Sequence, residues 1–355
     1  MSTSDRRIMC TLREFILQSR EAYCDEDSYV NVTDFTYNLL SYDMSNIQIS
    51  VKQGSKELFE IFRGTSIGIL DLRTADCISK TSDILPTLSK LEKLHLWGTY
   101  TGYCALQLPA SLHCIILQTG ECSPDWLCSL LINLSELDHH VECELWNFVV
   151  QSRGEDCGTD SNIHISDLRS KLVSCDMSNI EIIVDNGSKE LFKIFRDTTI
   201  GILKLKTADC VSHSSDILPT LSKLEKLYLW GTFTGHFDLQ LPASLDCVSL
   251  QTGECSSEWL CSLLLKLTEL HHAVRCELCD FLLQSRAEHC GADLNMHVSD
   301  LRSVLLALGM PNIIIQVNNG SRELFEIIRD TSIGILDLRT ADCVSHSSNI
   351  LPTLK

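Results

Sequence analysis

Short apolar runs with alternating polar positions recur along this chain, and each gives way to a turn and then a helical pattern. In the first third, strand-like runs centre on Val30–Val32, Ile47–Val51, Ile67–Leu72, Leu94–Leu96, Ile115–Leu117 and His139–Val141, and the series starts again near Ile163. Period-two alternation puts Ile47, Ile49 and Val51 on one face and Gln48, Ser50 and Lys52 on the other. Helical patterns lie between the runs. Ser55 precedes KELFEIF as an N-cap with an early glutamate, and Leu58, Phe59, Ile61 and Phe62 form its apolar stripe. Ser82 opens a shorter piece around ILPTL, and the stretch from Trp126 is apolar enough for a buried helix.

The whole pattern repeats every 133 residues. GSKELF at 54–59 returns at 187–192 and, as GSRELF, at 320–325; ILPTL returns at 217–221 and 350–354, and LWGT at 96–99 returns at 229–232. The copies are 10–142, 143–275 and an incomplete 276–355, which implies a single continuous array over 1–355. The ending at LPTLK carries no cap signal, so self-association through uncapped ends is expected.

Within each copy, Ile67/Leu70/Leu72, Leu91/Leu94/Leu96 and Leu112/Ile115/Leu117 fit the spacing LxxLxL, and Ile200/Leu203/Leu205, Leu224/Leu227/Leu229 and Leu245/Val248/Leu250 repeat it. On these residues the chain resembles the leucine-rich-repeat superfamily, in the irregular style of NOD-like receptors and related invertebrate proteins. The resemblance implies an α/β solenoid curved into a horseshoe, with short parallel strands on the concave face and helices and loops on the convex face. One feature departs from the family: its usual Asn or Cys after the last leucine is Ala75, Thr99 or Gly120 here. The hydrogen bonds that regularise the turn would have to come from Thr74, Thr119 or the acidic residue before each cysteine.

The outward strand positions change between copies while the inward ones mostly stay. Gln48 and Ser50 become Glu181 and Ile183, then Ile314 and Gln316. Asp71 and Arg73 become Lys204 and Lys206, then Asp337 and Arg339; His95 becomes Tyr228, and Ile116 becomes Ser249. The resemblance makes this face the contact surface, and the function expected is a non-catalytic scaffold or sensor of an innate-immunity type that binds a protein there. A self-assembling structural repeat is the alternative. Arg73, Lys204 and Tyr228 are the expected anchors.

The net charge of -18 disfavours nucleic acid and favours a basic partner. Eighteen cysteines fall mostly at repeated apolar positions, such as Cys77, Cys210 and Cys343, and read as reduced core residues of a cytoplasmic protein. No apolar run is long enough to span a membrane. His139–His140 and His271–His272, with Cys143, Cys276 and Cys279, suggest a zinc site, but the second copy keeps only His272 of the histidine pair in frame, so core histidines bonded to backbone are expected. Cys210 with His213 and Cys343 with His346 suggest a thiol and a base, yet Lys80 replaces the histidine in the first copy. No catalytic motif, cofactor or metal is therefore expected.

Overall fold

The computed structural model describes residues 8–12, 40–118, 121–151, 160–283, 301–320 and 322–348. Two compact units divide at Ile182/Ile183. The first contains β1 (Ile8–Leu12), β2 (Ile47–Val51), α1 (Lys56–Phe62), β3 (Ile69–Leu72), α2 (Ala75–Thr81), β4 (Lys93–Trp97), β5 (Cys114–Gln118), α3 (Pro124–Ser135), β6 (Val141–Phe148) and α4 (Asp160–Ser174). β7 (Ile180–Gly187) runs across the division. The second contains α5 (Lys189–Phe195), β8 (Ile202–Leu205), α6 (Ala208–Ser214), β9 (Lys226–Phe233), β10 (Cys247–Cys255), α7 (Ser257–Thr268), β11 (Val274–Leu283), β12 (Met310–Val317), α8 (Arg322–Ile328), β13 (Ile333–Leu338) and α9 (Ala341–Ser347).

In each unit the strands pair parallel and in chain order. Leu94 faces Leu70 on one side and Ile115 on the other, and Leu229 lies between Leu205 and Leu250. These residues are buried, so one face of each sheet is core. The helices cover it. Their starts are set by hydroxyl caps: Ser55 accepts from the Leu58 amide, Thr74 from Cys77 and Ser123 from Trp126. Pro124 at the first turn of α3 has no amide to leave unsatisfied. α3 is apolar nearly all round, with Trp126, Leu127, Leu130, Leu131 and Leu134 buried, because it is covered by the sheet and also by α4.

Two expectations are corrected here. The sheets are open and not strongly curled, so the horseshoe and the leucine-rich-repeat, NOD-like assignment do not hold; the arrangement is a layered parallel α/β sheet with interleaved helices. A horseshoe curves because every repeat carries a convex layer wider than its strand. Here the layer beyond the strands mixes seven-residue helices, helices of 12 and 15 residues and 3₁₀ turns at Leu85–Thr87 and Leu218–Thr220, and 98–113 has no helix at all. The sequence repetition stands, whereas the solenoid inferred from it does not. Similarly, the segment around Ile163 is helix α4 rather than a strand. The run at Val30–Val32 lies outside the described residues.

Among the described residues, no helix is long and apolar enough to cross a membrane. The fifteen cysteines there are all free thiols, and all but Cys10, Cys175 and Cys279 are buried.

Candidate metal centre

β6 reads Val141-Glu142-Cys143-Glu144-Leu145-Trp146, and its alternation sends Cys143 and Leu145 into the core and leaves Glu142, Glu144 and Trp146 on the opposite face. Register places Cys114 of β5 beside Glu142. On the other flank the Val141 amide donates to the Asn179 carbonyl at 3.0 Å, which brings the start of β7 and Glu181 alongside. Asn179 fixes this approach by donating from Nδ2 to the carbonyls of Leu137 at 2.7 Å and His139 at 3.0 Å.

Two triplets of metal-type donors result, and both contain Glu142. His140, Glu142 and Glu181 place one donor atom each within 4.8 Å of the others, and so do Cys114, Glu142 and Glu144. His140 Nε2 lies 3.5 Å from Glu181 Oε2; the glutamate side chain is 7% exposed and the histidine 51%. Trp146 Nε1 donates to Glu144 at 2.8 Å, which orients that carboxylate. Burial, reinforced by the Glu144 charge, pushes the Cys114 thiol up to about 12.

The second copy shows the same frame with its charge cancelled. Cys247 and Glu277 repeat Cys114 and Glu144, but Glu142 is replaced by Arg275, whose guanidinium lies 3.6 Å from Glu277. Ala273 replaces His140 and Ile314 replaces Glu181. Where one copy supplies its own cation, the other gathers three carboxylates and an imidazole.

The sequence expectations fare unevenly at this face. Ser50, Asp71, Glu181, Ile183 and Ser249, expected on a solvent-facing ribbon, are buried. The longer side chains beside them fold over the sheet. Arg73 donates to Ser50 at 3.3 Å, pairs with Asp71 at 2.7 Å and lies 4.0 Å over the Trp97 ring. Lys204 sits 5.1 Å over Tyr228, while Arg339 bonds Asp337 and Gln316. Gln48, His95, Ile116, Lys206 and Ile314 are half-buried. The expected anchors are thus engaged within the chain, and the concave-face binding mode does not match the parallel sheet with flanking helices; that functional reading is overturned with the fold.

The histidine and cysteine motifs also resolve. His139 and His272 bond the backbone carbonyls of Leu112 and Leu245 at 2.7 and 2.9 Å, as expected, but at 24% and 37% exposure they are not interior. Cys143 and Cys276 lie in the core, away from them. Cys210 accepts from the Gly187 amide and His213 Nδ1 meets the Gly187 carbonyl at 3.0 Å, so the pair clamps one glycine instead of forming a nucleophile and base. Lys80 makes the same contact to Gly54 at 3.0 Å, which explains the exchange between copies. The donor cluster itself was visible only as the His140-x-Glu142-x-Glu144 alternation; its third member, Glu181, belongs to the next strand. The sequence matches no protein-family model and no curated relative.

Proposed function

We propose that this chain binds a divalent transition-metal ion, of the zinc class, through His140, Glu142 and Glu181, with Cys114 and Glu144 beside it. Imidazole with carboxylates, and a thiol in reach, is a borderline donor set that suits zinc better than calcium or magnesium. The observation that carries the reading is the exchange of Glu142 for Arg275 between copies: a fixed cation stands where the first copy offers donors. A net charge of -18 supports accumulation of cations near the surface.

The role is binding without catalysis, in the cytoplasm. Thiols pushed up to about 12 at Cys128, Cys247 and Cys261 by burial are poor nucleophiles, and free buried cysteines suit a reducing compartment.

Equilibrium dialysis against zinc chloride, read by elemental analysis, tests this. Wild type should retain one ion per folded chain, and Glu181→Gln or His140→Ala should weaken retention about tenfold or more. Cobalt substitution should give a spectrum dominated by oxygen and nitrogen donors, which separates this centre from adventitious binding by cysteines. Equal retention by wild type and by a variant carrying both Glu181→Gln and His140→Ala would overturn the reading.

A further inference from the structure

In the second unit one short sequence occurs twice in two different environments. Asn186-Gly187 ends β7 and is followed by Ser188; the same three residues return as Asn319-Gly320-Ser321 just beyond β12. Both asparagines are exposed. The first copy has Gln53-Gly54 in this frame. An asparagine followed by glycine is chemically labile, because the missing side chain lets the next backbone nitrogen approach the asparagine carboxamide.

The fold holds the two glycines differently. The Gly187 amide donates to Cys210 Sγ at 3.2 Å, and His213 Nδ1 donates to the Gly187 carbonyl at 3.0 Å. Gly187 is therefore tied at both its nitrogen and its carbonyl. The third copy keeps Cys343 and His346 in sequence but does not rebuild this clamp. The Cys343 thiol donates instead to the carbonyls of Val317 at 3.8 Å and Asn318 at 3.6 Å, and His346 is exposed. What is held there is the asparagine side chain, since Asn319 Nδ2 donates to Asp280 Oδ1.

We propose that Asn319 is a site of spontaneous deamidation in the folded chain, and that Cys210 and His213 withhold the same reaction from Asn186. The Gly320 nitrogen attacks Asn319 Cγ and forms the new N–C bond of a cyclic imide. The Cγ–Nδ2 bond breaks, and Nδ2 leaves as ammonia with the proton that the backbone amide gives up. Water then adds at either imide carbonyl and leaves aspartate or isoaspartate. Either product sets a carboxylate where Asp280 had a donor, so the tie between β11 and the turn after β12 becomes a repulsion. At Asn186 the same attack requires the clamp to open first, and each hydrogen bond that must break lowers the reactive population.

The shared sequence supplies the control. In urea the two sites should convert at similar rates, because Asn-Gly-Ser is followed in both by a basic residue and Glu-Leu-Phe. The folded protein is held at mildly alkaline pH and sampled over time by peptide mass mapping and isoaspartyl methyltransferase labelling. Asn319 should be lost about tenfold faster than Asn186. His213→Ala and Cys210→Ala, checked for folding by thermal melts, should speed the loss of Asn186 and leave Asn319 unchanged. His213→Lys should keep the protection, since Lys80 makes this contact to Gly54 in the first copy. Equal rates at the two sites in the folded chain, or a faster loss of Asn186, would overturn the proposal. An Asn186 rate unchanged in both alanine variants would overturn the part assigned to the clamp.

Discussion

The guanidinium of Arg73 holds the carboxylate of Asp71 at 2.7 Å, and Asp71 is 1% exposed on a strand face that its sequence presents as polar. Removing the arginine strands a buried charge, whereas removing both partners does not. Arg73→Ala should therefore destabilise the chain by roughly 3 kcal/mol, discounted for the half-exposed arginine, and the Asp71→Asn/Arg73→Ala pair by clearly less. Urea denaturation of the double-mutant cycle measures the coupling; additive losses would show that the pair is not a unit.

Glu142→Arg copies the second unit's solution into the first. The introduced guanidinium should pair with Glu144 as Arg275 pairs with Glu277, leaving the melting temperature near wild type while zinc retention is lost. A variant that folds and still holds one ion would place the metal elsewhere.

His95 lies beside Asp71 and Ile116 in the ladder, and burial lowers its pKa, against the opposing pull of Asp71. Protonation is thus easier in the unfolded chain, so the unfolded state binds more protons below the ordinary histidine value. Stability should be fully present above about pH 6.5 and decline as pH falls from there toward the depressed folded value. Thermal melts between neutral and mildly acidic pH should show a shallower decline in His95→Gln; parallel curves would remove His95 as the cause.

Gly68 has no room for a side chain, because an added Cβ would meet the Ser45 carbonyl oxygen. The Gly68 carbonyl also accepts from the amides of Glu92 at 2.9 Å and Lys93 at 3.1 Å, so the backbone cannot retreat freely. Gly68→Ala should cost about 1–3 kcal/mol, seen as a lower denaturation midpoint with an unchanged slope.

Much of the local structure was legible in the residues. The cap at Ser55, the strand at Ile47–Val51 and the buried helix from Trp126 all follow from side-chain chemistry that acts within one turn or one strand. Curvature did not follow, since it depends on the relative widths of two layers, and LxxLxL spacing describes only one of them. The outward ribbon failed for a related reason: alternation places Ser50 and Asp71 off the core face, but it cannot say that Arg73 lies across them. The donor cluster joins Glu142 and Glu181 through a register set across strands, with α4 between them in the chain.

Sequestered sulfur gives this chain an asymmetric tolerance of oxidants. While the core is closed, desolvation keeps the thiols of Cys104, Cys114 and Cys128 protonated, at about 11 to 12, and alkylating or peroxide reagents meet little reactive anion. Once it opens, eighteen ordinary thiols become available on one flexible polymer and can crosslink at random. Heat inactivation in air should then be one-way, and reversible only with a reductant present.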